Sequence, residues 1–157
     1  MSSTEKSIQE TFAPNNACFG CGPANQKGLR IRSFFENGKY IAHWQAKEEH
    51  EAFPNVLNGG IIGSLLDCHS NWAAAHHLMQ KTGADHPPCT VTADFHVFLK
   101  RPTPTREKEV LVIAEILDSS DSRVKVKAHI EVDGKITATC EGNFVAVSPG
   151  HPAYHRW

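Results

Sequence analysis

Leu57-Asn58-Gly59-Gly60-Ile61-Ile62-Gly63-Ser64-Leu65-Leu66-Asp67 is the stretch on which the reading of this chain turns. Two glycines open an apolar run, and one carboxylate sits inside it. A carboxylate among Ile and Leu side chains is costly to bury without a partner or a use. The glycines fall where a helix start offers free backbone N–H groups. An oxyanion donor and an acid carried on one segment point toward acyl chemistry. Two structural readings stand beside that one. Asp67 could pair with a buried arginine or a backbone cap, and the glycines could only ease a tight turn into the helix.

The segment opens a helix expected from about Gly60 to about Lys81, stopped by Thr82-Gly83. At i, i+3 and i+4 spacing, Gly60, Gly63, Ser64, Asp67, Ser70, Asn71 and Ala74 share a face, and every one is small or polar. Ile61, Ile62, Leu65, Leu66, Trp72, Leu78 and Met79 occupy the rest and can pack into a sheet. The small stripe leaves room for a ligand or a second helix. Gly59 and Asp67 are eight positions apart, roughly 12 Å along a helix. A reacting carbonyl must lie about 3 Å from both its oxyanion donor and its base or nucleophile. One helix cannot place both groups on one carbonyl, but two antiparallel copies can. If the pair is catalytic, the protein is a homodimer whose sites each take Gly59 from one chain and Asp67 from the other.

Outward from the helix, residues 1–14 read as polar and mobile, and 15–28 as a turn-rich loop. Leu29 to Phe35 and Lys39 to Ala46 read as strands joined by the turn Glu36-Asn37-Gly38. Lys47 to Asn58 reads as a loop. Beyond the helix, strands are expected over Cys89 to Lys100, Glu109 to Leu117, Arg123 to Val132 and Lys135 to Val147. Val124, Val126, Ala128, Ile130 and Val132 alternate with Lys125, Lys127, His129 and Glu131, the pattern of an antiparallel strand with one wet face. Two strands, one long helix and four strands make an α+β order. One helix cannot cover both faces of six strands, but a strongly curved antiparallel sheet can wrap around it. A single domain over 1–157 follows, with a polar segment at 1–17 and an irregular tail at 148–157.

Sixteen basic and seventeen acidic residues leave a net charge of −1. No global field draws the chain to nucleic acid or to an anionic membrane. Met1 to Glu10 has no apolar core of a signal peptide, and no window approaches the ~18 apolar residues of a membrane span, so a cytoplasmic location is expected. Five cysteines are an odd count that argues against a disulfide framework. Cys68 and Cys140 lie in apolar elements and read as small buried hydrophobes.

Asn58-Gly59-Gly60 followed by Ile61-Ile62-Gly63-Ser64-Leu65-Leu66-Asp67 resembles the His-Gly-Gly…Asp signature of hotdog-fold acyl-CoA thioesterases, and is most similar to the phenylacetic-acid-degradation (PaaI-like) type. Phe95 to Pro102 resembles that family's strand ending before a proline, and Val132-Asp133-Gly134-Lys135 its last hairpin. The resemblance spans about residues 29–147. It implies a hotdog fold, a curved six-stranded antiparallel sheet around one long helix. It implies that the Gly59 N–H, with Gly60 beside it, polarises the thioester carbonyl. Asp67 then serves as nucleophile or general base, and Thr92 falls where some members carry an assisting hydroxyl. Two positions depart from the pattern. Asn58 stands where the family has His, which removes a general base but keeps a side-chain hydrogen bond. Ala52 stands where some members have Asn, with Asn55 or His50 as substitutes. The expected substrate is an acyl-CoA, the expected assembly a homodimer or dimer of dimers, and no metal or other cofactor is required. Lys100, Arg101 and Arg106 could hold the coenzyme's phosphates or form a solvated basic turn. The alternative on the same fold is a non-catalytic acyl-CoA-binding protein.

Cys18-Phe19-Gly20-Cys21-Gly22 has the spacing of half a zinc site. No second pair follows, so further ligands would come from Cys89, a histidine such as His50, or a partner chain; a tight loop with reduced cysteines is the plainer reading. His69, His76 and His77 read as core or interface histidines. Trp72, Phe53 and Phe95 are candidates for a pocket wall, with core packing the plainer role for each.

Overall fold

The computed structural model describes residues 4–106 and 108–154. Its central element is helix α2, Gly59–Thr82, one residue longer at each end than the sequence pattern indicates. The Asn58 side chain caps its start by accepting from the Gly60 and Ile61 N–H groups, a role Asn fills well because its short amide satisfies otherwise orphaned donors. Gly83 ends it in the left-handed region at φ 72°, where glycine carries no Cβ penalty.

Six strands wrap this helix: β1 (Phe34–Glu36), β2 (Lys39–Gln45), β5 (Thr90–Leu99), β6 (Glu109–Ser119), β7 (Arg123–Val132) and β8 (Lys135–Ala146). Their order is β1-β2-β6-β7-β8-β5, and every neighbouring pair is antiparallel. The expected hotdog architecture is therefore present. Leu65, Leu66, Trp72 and Leu78 of α2 meet Val112, Val124, Val126, Ile130 and Phe144 of the sheet in one core. The alternation read from β7 holds: its valines, Ala128 and Ile130 are buried and its lysines exposed. Asn37 (φ 50°) and Gly38 (φ 79°) form the tight turn between β1 and β2, with the two positive φ values that such a hairpin demands.

Three expectations are corrected. The strand expected over Leu29 to Phe35 shrinks to Phe34–Glu36. Leu29 and Ile31 instead donate their N–H groups to the carbonyls of Phe19 and Gly20, so the N-terminal loop rather than the sheet satisfies them. The segment expected to be mobile contains a short helix, α1 (Ile8–Phe12), closed by a reciprocal cap between Ser7 and Glu10 and docked through buried Ile8 and Ala13. Met1 to Ser3 of that segment, like residues 155–157 of the expected tail, lie outside the described residues. The loop over Lys47 to Asn58 contains a 3₁₀ turn (Glu48–His50) and a small hairpin, β3 (Glu51–Phe53) with β4 (Val56–Leu57). Among the described residues no helix is long and apolar enough to cross a membrane.

One irregularity positions the site. The pairing of β5 with β8 shifts between Thr92 and Asp94, leaving Ala93 as the extra residue of a β-bulge. A strand alternates faces with period two, and a bulge resets that alternation. Downstream of Ala93, odd-numbered Phe95, Val97 and Leu99 stand opposite Gly142, Cys140 and Ala138 of β8; upstream, even-numbered Thr90 and Thr92 stand opposite Ala146 and Phe144. Both sets thereby face the helix.

Candidate active site

Against β5 the small stripe of α2 meets three side chains in turn. A Cβ placed on Gly59 would lie 3.4 Å from Leu99 Cδ1, and one on Gly63 would lie 3.9 Å from Phe95 Cε2. Asp67 Oδ1 accepts a hydrogen bond from Thr92 Oγ1 at 2.6 Å. Glycines at Gly59 and Gly63 let the helix start approach bulky strand side chains, and two turns on the same face carries the acid. The β-bulge is what turns Thr92 toward it.

The first two helical turns remain open. Leu99 is 60 % exposed and Phe95 37 %, so the helix covers these inward-facing residues incompletely. Asp67 and Thr92 are both half-buried at the inner end of this groove. Further along, the stripe closes. Thr90 Oγ1 donates to Asn71 Oδ1 at 2.8 Å, the Asn71 amide donates to the Thr90 carbonyl at 3.3 Å, and Ala74 is fully buried. The stripe thus borders exposed strand side chains over Gly59–Asp67 and is closed from Asn71 onward.

At the helix start the two glycines differ. The Gly60 N–H donates to Asn58 Oδ1 at 2.8 Å, as does Ile61 at 3.1 Å. Gly60, expected as a second oxyanion donor, is thus already engaged. Among the described residues no acceptor is found for the Gly59 N–H, which lies at the positive end of the helix dipole. Asn58 is exposed, and its side-chain oxygen accepts from the helix start.

The remaining expected residues divide. Lys100 and Arg101 are exposed at the end of β5, anchored through their N–H groups to the Thr137 carbonyl. The Arg106 guanidinium pairs with Glu51 at 3.2 Å, and that carboxylate also accepts from Thr105. The Thr105 hydroxyl, with Arg106, holds the Glu51 carboxyl below the usual carboxylate range. Asn55 accepts from the Thr105 and Arg106 N–H groups, and His50 accepts from the Lys47 N–H beside the Trp44 ring. Both are occupied in shaping this loop. Phe53 is 60 % exposed, so neither it nor Phe95 has the core role favoured from sequence, whereas Trp72 is buried in the core.

The histidines of α2 are structural. His69 is fully buried, with Nδ1 against Ser33 Oγ at 2.7 Å and Nε2 against the Tyr40 carbonyl at 2.9 Å, and burial holds its pKa down to about 4. His76 meets the Tyr40 hydroxyl at 2.8 Å, and burial first, then neighbouring His77, lowers its pKa. Cys140, on the strand facing the helix, is raised to about 11 by burial first and then by the Asp67 carboxylate.

Cys68 does not behave as the buried hydrophobe expected. Its sulfur faces the N-terminal loop, 3.9 Å from Cys18 Sγ. Neither Cys89 nor His50 joins Cys18 and Cys21; Cys68 does. One-letter spacing could not reveal this, because Cys68 is 47 positions beyond Cys21.

No protein-family model matches the chain, and no curated protein does. Solved structures do. A thioesterase superfamily protein from Shewanella loihica is similar with a TM-score of 0.63 and 26 % identity, over 80 % of this chain and 98 % of that one. The E. coli PaaI protein from the phenylacetic acid degradation operon is similar with a TM-score of 0.64 and 14 % identity, over 76 % and 81 % of the two chains. Zebrafish thioesterase superfamily member 2 is similar with a TM-score of 0.63 and 17 % identity, over 79 % and 90 %. The resemblance carried by Asn58 to Asp67 thus extends to the whole architecture.

Proposed function

We propose that this chain, which has the hotdog fold of thioesterase superfamily proteins, is an acyl-CoA thioesterase that hydrolyses its substrate to a free acid and coenzyme A. The observation that carries the reading is the face where α2 meets the exposed Phe95 and Leu99 of β5, with a helix-start N–H at Gly59 that has no acceptor among the described residues at one end and the Thr92–Asp67 pair at the other. A thioester carbonyl is already activated, so one oxyanion donor and one acid suffice. Asp67 takes a proton from water as the water oxygen bonds to the carbonyl carbon, or attacks that carbon directly and is released by water. The Thr92 hydroxyl orients the carboxylate. The carbonyl oxygen gathers charge against the Gly59 N–H, the C–S bond breaks, and the thiolate leaves to be protonated.

The active unit is a homodimer. The roughly 12 Å of helix between Gly59 and Asp67 keeps them from sharing one carbonyl, so each site takes one group from each chain. The partner surface is β5, an edge strand that exposes Phe95, Phe98 and Leu99. A long apolar edge seeks another strand, and a second copy brings its own α2 start over Phe95 and Leu99. Lys100 and Arg101, just past that strand, are placed to meet the coenzyme's phosphates, and a coenzyme A ester suits a cytoplasmic site of action.

Subunit complementation tests both claims. Gly59→Pro removes the backbone donor while keeping the helix start, since proline is favoured at the first helical position and Asn58 already has the extended backbone that precedes proline (φ −60°, ψ 135°); its Cβ would make an ordinary 3.4 Å contact with Leu99. It should lower kcat about 10²–10³-fold. Mixed dimers of Gly59→Pro and Asp67→Asn chains contain one intact site under the cross-chain arrangement and should regain up to half of native turnover per dimer. No recovery would sink the shared site. Acyl-CoA binding without release of free thiol, across aryl, short-chain and long-chain esters, would sink hydrolysis and leave a binding protein.

A further inference from the structure

Three cysteines from two distant segments converge outside the groove. Cys18 and Cys21 lie in the N-terminal loop, Cys68 on α2, and all three sulfurs lie within 4.8 Å of one another. All are free thiols. A tetrahedral zinc with Zn–S bonds of about 2.3 Å holds its sulfurs about 3.8 Å apart; Cys18 and Cys68 are 3.9 Å apart. The loop is built around the cluster. A Cβ on Gly20 would lie 2.3 Å from Cys68 Sγ, and one on Gly22 would lie 2.4 Å from both the Asn16 carbonyl oxygen and the Cys18 nitrogen, so only glycine lets the chain fold this tightly over the sulfurs. Asn16 Oδ1 accepts from the Cys18 N–H at 2.9 Å and fixes the turn. Trp72, one turn beyond Cys68, donates its indole N–H to Cys21 Sγ at 3.3 Å, the kind of outer contact that orients a thiolate ligand.

We propose that Cys18, Cys21 and Cys68 form a zinc site in which three thiolates bind the ion and a solvent donor completes its tetrahedron. Zinc favours this donor set and geometry over the hard cations, which take oxygen ligands. The three thiols release their protons to solvent as the ion binds. The bound ion fastens the loop that carries Leu29 and Ile31 to the helix at the residue following Asp67, so the site is a clamp on the scaffold of the groove and takes no part in the reaction.

The full-length protein, reduced, loaded with zinc sulfate and passed through a desalting column, should retain about one zinc per chain. Cys89→Ser should retain the same amount, and Cys68→Ser should fall to background. Cobalt substitution should give the intense visible bands of a tetrahedral ion and a thiolate charge-transfer band, both absent from Cys68→Ser. Because a cysteine variant can fail to fold, the wild-type chain supplies an independent reading: Cys18, half-buried, should resist alkylation when zinc is bound and react after chelation, as mass spectrometry of the labelled peptide reports. Trp72→Phe, which keeps the ring and removes the indole donor, should weaken zinc binding by about 10-fold or more. Substoichiometric zinc in the wild type, equal loss in Cys89→Ser, or isolation of a Cys18 disulfide to Cys21 or Cys68 that forms in the presence of zinc would overturn the proposal. None of these readings depends on thioesterase activity.

Discussion

The two halves of helix α2 face the same strand with the same kind of residues and do opposite things. From Gly59 to Asp67 the small stripe meets Leu99, Phe95 and Thr92 across a groove that stays open. From Ser70 to Ala74 the stripe meets Thr90 and is sealed, with Asn71 and Thr90 exchanging hydrogen bonds in the buried interior. Small side chains permit close approach, but they do not by themselves make a pocket. What separates the halves is how the polar atoms are used. In the closed half a threonine hydroxyl serves a neutral amide and completes the packing. In the open half a threonine hydroxyl serves a carboxylate that remains half-buried beside an uncovered apolar wall.

That contrast can be broken most decisively at Asp67. Asp67→Asn should reduce kcat for thioester hydrolysis by at least about 10³-fold, with the thermal midpoint little changed, because the amide still accepts from Thr92. Retained turnover would erase the functional distinction between the halves. The two threonines come next. Thr90→Val takes the donor from Asn71 Oδ1 in the interior and should cost about 1–3 kcal/mol of stability, with kcat unaffected in the folded fraction. Thr92→Val should do the reverse, lowering kcat about 10²-fold for a loss of stability below about 1 kcal/mol. Denaturant titrations and steady-state kinetics on the two variants read both columns of the comparison, and matched behaviour would collapse it.

Acid should loosen the helix just beyond the closed half. His76, two residues past Ala74, sits neutral against the Tyr40 hydroxyl of β2, with its pKa depressed by burial and by His77. A depressed pKa means that the unfolded chain binds the proton first, so stability is intact above the ordinary histidine value of about 6.5 and is lost as pH falls below it. Urea midpoints measured downward from neutral pH should decline, and less steeply in His76→Asn. The smallest effect belongs to Gly63→Ala. Its Cβ would make an ordinary 3.9 Å contact with Phe95, and alanine in a helix interior gains about 0.5–1 kcal/mol over glycine. The variant should be slightly more stable and yet turn over acyl-CoA more slowly, since its methyl group occupies the groove.

The closed half, the open half and the fold were legible to different degrees. Period-two alternation over Arg123–Val132 and the punctuation at Gly38 and Gly83 report local backbone demands, which a sequence carries directly. The helix came through within a residue at each end for the same reason. Leu29 and Ile31 misled, because an apolar alternation says that side chains are buried and not which backbone satisfies their N–H groups. The stripe from Gly60 to Ala74 was visible, but its division at Asp67 depends on Thr90 and Thr92, which lie on another element. The partner of Arg106, Glu51, lies 55 positions away and could not be read from the local basic cluster. Cys68 joined Cys18 and Cys21 through a fold-level approach that no local spacing encodes. Asn58 differs from the histidine of the resembling family, and its amide oxygen caps the Gly60 and Ile61 N–H groups.

The extra residue at Ala93 divides β5 into two reading frames. Upstream of it even positions face the helix, and downstream odd positions do. Were Ala93 drawn into the ladder instead of bulging out, Thr90 and Thr92 would rotate outward together and Val91 would come in their place, unseating the partner of Asp67 and the lock on Asn71 in a single event. The strand on either side can therefore drift one substitution at a time, but a slip of register there is not graded: open and closed halves of the helix would be lost at once.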